Sequence, residues 1–541
     1  MALWTAIAIG LRLYQLGSKP LWTDEMSTLV FSLGHSFRTI PLSQVITVDA
    51  LLEPLRVDAA TGPGDAAMAI LASSNHPPLF FVLMHPWLQL THPAGTYVVP
   101  WIARSLSAVI GGLLTPVVYG LMVLIRRASA APFAAALVAM SPFGIYLSQE
   151  ARHYTLALIW ITASLCCLAE ALASMAQGRP LPRRLILLWT VVNGLGLATH
   201  YFTTITFLAE VLVLASAGYL WRQRYRSDGL YTMVRQVTCV GLGTMASGLP
   251  WFIALLAAPD QGELTQWIYA SWQLIDWITP VANTLASAAS MVYLLPIQDV
   301  SNTIALLSTG VVLAIAFWSL WGRQRWRHAA VSWAALWGLC IASVVVLWGI
   351  TYGAQISLAQ TLRYHFVYFP AFVGVVAVGL AHRWAAPRRY NRALVVVALL
   401  VSLAGGLTVI HNLAYQKVHR PDQVVADMAK AATPERPLLL AMSHQSHGQT
   451  GRLMAIAWEM MTHSPDLLER AQFFLDPQPC VKTGEQNCGA PSYELQKAVE
   501  LLEDADVWLL NYGGRPTLRA QGCRYRETER VDGYKYSHYA C

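Results

Sequence analysis

The sequence predicts a polytopic α-helical membrane protein with a small α/β domain at its C-terminal end. Of its 541 residues, 55% are hydrophobic and 12% are charged, whereas an average soluble domain has about 25% charged residues. A second observation is a series of apolar runs, most of them long enough to cross a bilayer, that alternate with short arginine-rich loops. The third observation is that this composition is lost after residue 411.

About eleven apolar runs are predicted to span the membrane. They lie near 1–16, 104–125, 130–147, 154–176, 185–199, 203–220, 237–257, 302–321, 331–351, 364–381 and 393–411. The first run is short, because a span needs about 20 residues, and it lacks the basic start and cleavage site of a removable signal peptide. The stretch 78–90 is also too short and contains Pro86, so we predict a helix in the membrane interface.

Arginine clusters orient these spans. They lie at 126–127, 179–184, 222–235, 323–327 and 383–392, and Asp228 is the only acid among them. If the N-terminus is cytoplasmic, all five clusters are inside, as the positive-inside rule requires. The first 411 residues then form a membrane module whose long first loop, 17–103, lies outside the cytoplasm together with the C-terminal domain, 412–541.

The C-terminal domain alternates strand-like and helix-like patterns, which predicts a small α/β fold. Its four cysteines lie on the side of the membrane where oxidation occurs. By proximity in the sequence we predict two disulfides, Cys480–Cys488 and Cys523–Cys541, and the alternative is free thiols.

Asp24 and Glu25 follow the first predicted span directly. Paired acids at a membrane boundary are costly unless they are solvated, paired or functional. A carboxylate here can act as a general base, taking a proton from an acceptor hydroxyl that attacks the anomeric carbon of a sugar. The alternative is a helix cap, in which Thr23 or Asp24 caps the next helix and Glu25 lies in its first turn.

Further polar side chains are predicted at the same membrane depth as this acidic pair. They are His76, Arg104, Gln149, Glu150, Arg152, His153, Tyr154, His200, Tyr201, Arg363, Tyr364 and His365. Such a collection at one level predicts a polar pocket, and arginine suits a phosphate because its planar fork matches phosphate oxygens. The alternatives are that Glu150 and Arg152 neutralise each other, that His76 only marks a helix boundary, and that each Tyr belongs to the interfacial belt.

Four short motifs occur in the order and spacing of the GT-C glycosyltransferases. They are Trp-Thr-Asp-Glu at 22–25, His-Pro-Pro-Leu at 76–79, Arg-Ser at 104–105 and Gln-Glu-Ala-Arg-His-Tyr at 149–154. The chain most resembles the protein O-mannosyltransferase and aminoarabinose-transferase superfamily, especially its bacterial members of unassigned acceptor. The similarity covers about residues 10–205, and beyond them it consists of hydropathy and the Arg363-Tyr364 pair.

The resemblance implies a catalytic Asp24, a polyprenyl-phosphate sugar donor that enters from the bilayer, and an inverting displacement at the anomeric carbon. It implies that Glu25 helps to hold the acceptor or the donor, and that Arg104, Arg152 and Arg363 are candidates for binding the carrier phosphate. Some relatives use a divalent metal and others do not, so the resemblance leaves a metal open and predicts no certain cofactor.

We therefore predict a glycosyltransferase of the plasma membrane whose active site faces away from the cytoplasm and whose acceptor is a lipid, a glycan or a protein. No pool of nucleotide sugars exists on that side, so a membrane-soluble donor is required. The alternatives are a transporter or flippase and a polymerase of lipid-linked sugars. The chain has no internal repeat of the kind common in transporters, and it has no Walker A, HExxH or Gly-rich dinucleotide motif.

Overall fold

A computed structural model describes residues 1–221, 227–257, 272, 274–320, 330–356, 358–477, 490–502, 504–513, 516 and 518–541. The arginine positions within 222–226 and 323–327 lie outside these residues, and so does the predicted pair Cys480–Cys488.

The chain begins with a short apolar helix and continues into the long first loop. The elements are α1 (Ala2–Leu13), α2 (Thr23–Ser32), β1 (Val45–Ile46), α3 (Val48–Leu52), α4 (Pro63–Ser73) and α5 (Leu79–Thr91). Helix α4 starts at a proline, and the Asp65 carboxylate accepts the Gly62 N–H at 2.7 Å, which caps its first turn. Helix α5 is the helix predicted over 78–90, and Pro86 lies inside it without ending it.

The membrane part consists of apolar helices, most of them long. They are α6 (Pro100–Leu124), α7 (Ala131–Met140), α8 (Pro142–Ser148), α9 (Tyr154–Ala176), α10 (Arg183–Thr199), α11 (Thr203–Trp221), α12 (Ser227–Ala257), α13 (Thr279–Val292), α14 (Asn302–Leu320), α15 (Ala330–Trp333), α16 (Leu339–Ala354), α17 (Phe369–Ala385) and α18 (Arg389–Ile410). Within the described residues, eight helical stretches are long and apolar enough to cross a membrane, and the bent pair α7–α8 makes a ninth. The other two predicted spans coincide with α1 and α10, which have 12 and 17 residues.

The bend between α7 and α8 explains why a charged residue is tolerated in α1. Pro142 has no N–H, so the Val138 carbonyl loses its helical partner where the two helices meet at an angle of 50°. The buried Arg12 guanidinium replaces that partner, donating to the carbonyls of Val138 at 2.9 Å and Ala139 at 3.0 Å. It also donates to the Ser148 hydroxyl at 3.0 Å, so one side chain joins α1 to both halves of the bend.

The C-terminal part is a sheet with helices. Its elements are α19 (Pro421–Ala431), β2 (Leu438–His444), α20 (His447–His463), α21 (Pro465–Glu469), β3 (Ala471–Pro477), α22 (Tyr493–Leu501), β4 (Asp506–Leu510), β5 (Arg524–Val531) and β6 (Tyr534–Ala540). The strand order is β1-β3-β2-β4-β6-β5, and the three central strands are parallel. The central strand β2 is apolar and buried from Leu438 to Met442, as expected for a parallel strand covered on both faces.

The first loop and the C-terminal part share one hydrophobic core. Strand β1 of the first loop pairs with β3, with Val45 opposite Phe474. Helix α2 packs on α20, where Gly451 faces Thr23 and Met26. Cys523 and Cys541 are joined by a disulfide, which ties the start of β5 to the last residue of the chain.

Candidate active site

A cavity of about 1310 Å³ lies where the membrane helices, the first loop and the C-terminal part meet. Its walls include both ionised groups and neutral polar side chains, together with aromatic rings. The predicted site residues that line it are Asp24, His76, Arg152, Tyr154, His200, Tyr201, Arg363 and Tyr364. Residues that lie more than 300 positions apart in the sequence thus meet at one cavity.

Asp24 faces this cavity from the first turn of α2. The helix begins after Trp22, whose backbone is extended, and no side chain caps it. The Asp24 carboxylate is therefore free of a capping role, which excludes the helix-cap alternative. Its side chain is 31% exposed, and one carboxylate oxygen lies 3.5 Å from an Arg152 nitrogen and 3.8 Å from an Arg363 nitrogen.

The charges around Asp24 keep it ionised. Burial opposes ionisation, but Arg152 and then Arg363 outweigh burial and lower the pKa of Asp24 below its ordinary value. The nearby imidazoles stay neutral: burial, followed by the charge of Arg152, lowers the pKa of His76 to about 3. Burial and Arg452 lower the pKa of His419 to about 3 in the same way. At neutral pH the cavity wall therefore holds one carboxylate, the three arginines Arg152, Arg363 and Arg452, and the uncharged imidazoles of His76 and His419.

The two arginines beside Asp24 retain unused hydrogen-bond donors. Arg152 lies in the turn between α8 and α9 and donates to the Asp24 carbonyl at 3.1 Å and to the Thr28 hydroxyl at 3.2 Å. Arg363 lies over the Trp22 ring at 4.9 Å. In the described structure the Nε atoms of both arginines are buried without a hydrogen-bond partner. Both side chains also line the cavity, where the planar guanidinium fork suits an anion such as a phosphate.

Glu25 and Arg104 form a buried ion pair away from the cavity wall. Arg104 Nε and Nη2 donate to the two Glu25 oxygens at 2.7 and 2.9 Å, and both side chains are fully buried. The remaining Arg104 N–H groups donate to the carbonyls of Leu16, Lys19 and Pro20. Because all five donors are used, the prediction that Arg104 binds a carrier phosphate is wrong. Glu25 is likewise corrected from a substrate-holding or catalytic residue to the structural partner of Arg104.

Gln149 and Glu150 also belong to this buried network and do not line the cavity. Lys19 donates to Gln149 Oε1 at 3.1 Å, and Lys417 lies 2.5 Å from Glu150 Oε1. Glu150 is therefore neutralised by Lys417 and not by Arg152, because the turn after α8 points these two neighbours in different directions. Both residues are corrected from substrate binding to structural support.

His153 and His365 are buried behind the wall. The His153 ring lies 5.1 Å from that of His76 and 4.5 Å from that of His200, so it supports two histidines that do line the cavity. The two ring nitrogens of His365 are hydrogen-bonded to the Tyr368 hydroxyl and the Ala359 carbonyl. His365 is therefore corrected from a ligand-binding residue to a structural one. Over the described parts of the chain, no group of three or more His, Cys, Asp or Glu side chains is arranged to hold a metal ion.

Sequence reasoning missed the residues that the C-terminal part contributes. They are Tyr415, Gln416, Val418, His419, Gln445, Ser446, His447, Gly448, Gln449 and Arg452. His419 Nδ1 lies 3.2 Å from the Thr23 hydroxyl, which links this part to the start of α2. The available signal was the Ser446–Gln449 capping box directly after an apolar strand, which marks a strand-to-helix turn.

A second, apolar cavity of about 310 Å³ lies among α10, α11 and α12. Several of its lining side chains, including Leu208, Val211 and Met245, are exposed on the outer surface of the membrane helices. Phe252 lines this apolar cavity and its ring lies 5.3 Å from that of Tyr201, which lines the larger one. The linings of the two cavities therefore touch at this aromatic contact.

The chain shares its fold with solved GT-C glycosyltransferases. ArnT from Cupriavidus metallidurans in the apo state is 12% identical, covers 99% of this chain and 97% of its own, and has a TM-score of 0.52. The same protein bound to undecaprenyl phosphate gives 12% identity, the same coverage of 99% and 97%, and a TM-score of 0.49. The archaeal oligosaccharyltransferase AglB from Archaeoglobus fulgidus, in complex with an inhibitory peptide and a dolichol-phosphate, is 12% identical over 84% of this chain and 63% of its own, with a TM-score of 0.40.

No family model and no curated protein matches the chain. The predicted fold class, a polytopic α-helical GT-C architecture with a small C-terminal sheet, is confirmed by the likeness to apo ArnT and by the apolar helices. The chain is a multi-pass membrane protein.

Proposed function

We propose that this protein is an inverting glycosyltransferase of the plasma membrane that moves a sugar from a polyprenyl-phosphate donor to an acceptor outside the cytoplasm. The observation that carries the proposal is the Asp24 carboxylate between Arg152 and Arg363, in a cavity large enough for a sugar and its acceptor. A base beside two phosphate-binding groups is the minimum that such a transfer requires.

The donor phosphate binds the guanidinium groups of Arg152 and Arg363, whose side chains line the cavity. The polyprenyl chain lies in the apolar cavity among α10, α11 and α12, which faces the lipid and meets the larger cavity at the Tyr201–Phe252 contact. ArnT, which shares the fold, binds undecaprenyl phosphate, and this supports a carrier of the same chemical class here.

The transfer is a single displacement. The acceptor hydroxyl oxygen forms a bond to the anomeric carbon as the bond from that carbon to the phosphate oxygen breaks, and the electron pair leaves with the polyprenyl phosphate. The hydroxyl proton passes to Asp24 and then to solvent. Arg152 and Arg363 stabilise the charge that develops on the leaving phosphate, and attack from the opposite face inverts the anomeric configuration.

Donor binding also prepares the base. In the structure both arginines lie beside the Asp24 carboxylate and lower its pKa. A bound phosphate shares these cations, so their pull on Asp24 weakens and the carboxylate becomes a stronger base when a donor is present.

The test uses the purified full-length chain and undecaprenyl-phosphate-linked mannose, glucose and 4-aminoarabinose. We expect release of undecaprenyl phosphate from at least one donor, to water or to an added alcohol, and loss of that release in Asp24→Asn. Binding of undecaprenyl phosphate without sugar release from any donor would instead favour a flippase or transporter.

A further inference from the structure

The C-terminal part contributes its own wall to the catalytic cavity. This wall consists of residues 445–449, which form the turn after β2 and the start of α20, together with Arg452 one turn further along α20. Asn75 of the first loop lines the same cavity. We call Asn75 and residues 445–447 the amide wall. It contains none of the groups that the proposed proton transfer or phosphate binding uses.

The topology of the sheet places the amide wall where parallel sheets bind ligands. Strand β2 is flanked by β3 on one side and β4 on the other, and all three strands are parallel. The chain leaves β2 through α20 to reach β3, and then crosses back through α22 to β4. The carboxyl end of β2 is therefore a topological switch point, where a crevice opens outside the strand ends.

Packing holds the amide wall in a fixed position relative to the base. Helix α2, which carries Asp24, packs on α20 where Gly451 faces Thr23. The hydrogen bond between His419 and the Thr23 hydroxyl adds a second link between the C-terminal part and α2. A molecule bound to the amide wall thus lies in the same rigid frame as Asp24.

The chemistry of the amide wall is that of neutral hydrogen bonding. Asn75 is half-buried and Gln445 is exposed, and both residues line the cavity, so their side-chain amides are open to a molecule bound there. Asp24 is the only carboxylate among the described lining residues, and Arg452 is the only cation there besides Arg152 and Arg363. An amide both donates and accepts, which matches the paired donor and acceptor character of sugar hydroxyls.

We propose that the amide wall is the acceptor subsite and that the acceptor is a neutral carbohydrate. The proposal rests on the proposed glycosyl transfer and names its acceptor class. One hydroxyl of the acceptor glycan supplies the attacking oxygen, its proton passes to Asp24, and the polyprenyl phosphate departs with the electron pair. Asn75 and Gln445 hold the neighbouring hydroxyls and so select which one faces the base.

The test measures carbohydrate binding without requiring turnover. Saturation-transfer NMR is recorded on the full-length chain in detergent with neutral gluco-, manno- and galacto-trisaccharides. We expect saturation of at least one trisaccharide by the wild type. In the double variant Asn75→Ala/Gln445→Ala binding weakens roughly thirty-fold, because two neutral hydrogen bonds are lost. The control Gln423→Ala lies on α19, away from the cavity, and leaves binding unchanged.

Two further measurements distinguish a failure of the acceptor subsite from a failure of the proposed glycosyl transfer. Undecaprenyl phosphate binding, recorded on the same samples, stays unchanged in the double variant if the amide wall serves only the acceptor. Its absence in the wild type would count against the proposed donor and not against the amide wall. Absence of trisaccharide saturation by the wild type overturns the acceptor proposal. So does binding of inorganic phosphate that disappears in Arg452→Ala, since this outcome assigns the wall to an anionic acceptor.

Discussion

At the scale of single residues, the Asp24 carboxylate carries the proton transfer of the proposed reaction. Asp24→Asn keeps the size of the side chain and removes its basicity, so sugar transfer should fall about 10²–10⁴-fold. Thermal stability at neutral pH should fall modestly and the fold should persist, because Arg152 and Arg363 lose their shared carboxylate but no helix cap depends on this side chain. Transfer and thermal unfolding measured on the same purified variant check both statements, and near-normal transfer would remove Asp24 from the active site.

Arg152 and Arg363 should govern donor affinity. Replacing either by Ala removes a charged hydrogen-bond donor, which should weaken undecaprenyl phosphate binding roughly 10- to 150-fold. Arg420, which is paired with Asp422 at 2.8 Å outside the cavity, provides the matched control. Calorimetric binding that is equal in Arg363→Ala and Arg420→Ala would contradict this assignment.

Lys19 should make stability depend on pH. Burial, and then the charges of Lys417 and Arg104, lower the pKa of Lys19 from 10.5 to about 7 in the folded chain. Between these two pH values the unfolded chain binds more protons than the folded chain, so the free energy of unfolding of the wild type rises with pH. Below pH 7 Lys19 is charged in both states, and the full cost of burying the charge lowers the free energy of unfolding. The melting-temperature difference between Lys19→Met and the wild type should therefore fall from pH 6 to pH 9.5, and a constant difference would contradict the buried charge.

The site residues show what a sequence can and cannot reveal. Asp24, Arg152 and Arg363 were predictable because they were placed at one membrane depth, where an ionisable side chain is costly unless it is solvated, paired or functional. Arg104 was placed at the same depth, but depth does not tell which side of α6 faces the cavity. In the structure the Arg104 guanidinium is paired with Glu25. Gln445 was not predictable, because its place depends on the packing of α20 against α2 across more than 400 residues of chain.

At the scale of elements, the bend between α7 and α8 depends on α1. Arg12→Met should leave the carbonyls of Val138 and Ala139 without donors inside the membrane part, so the melting temperature should drop and α1 should loosen. Hydrogen exchange of α1 and α8 measures the local effect. Leu11→Met, a volume-conserving change on the same helix, serves as control and should have little effect on exchange. Equal protection in both variants would show that Arg12 does not hold the bend.

Elements were easier to predict than their ends. A helix lies at each of the eleven predicted spans, because an apolar run of this length has few other stable forms in a bilayer. Span 130–147 was predicted as one helix, but the structure has two helices with a bend between them. Pro142 lacks the N–H that would continue the first helix, and a pattern of apolar residues alone does not reveal such a break. The antiparallel strand β1 was not predicted, because it has only two residues and its partner strand lies far along the chain.

At the scale of the whole molecule, the arginine clusters predict a cytoplasmic N-terminus and a C-terminus outside. Alkaline phosphatase fused after Cys541 should be active, since it needs the oxidising side of the membrane, whereas a fluorescent protein that matures only in the cytoplasm should stay dark. The reverse result would place the catalytic cavity on the cytoplasmic side, where nucleotide sugars are available as donors.

The pairing of β1 with β3 has a consequence for biosynthesis. Val45 is made more than 400 residues before its partner Phe474, which at ordinary translation rates is an interval of roughly 20–80 s. With the cytoplasmic N-terminus that the arginine clusters predict, the first loop, with its helices α2 and α5, crosses the membrane during that time and has no sheet or α20 to cover it. The newborn chain therefore needs the bilayer surface or a chaperone as a temporary partner. A ribosome that stalls before residue 437 leaves a chain that has its membrane helices but lacks the sheet and α20, so the candidate active site stays open.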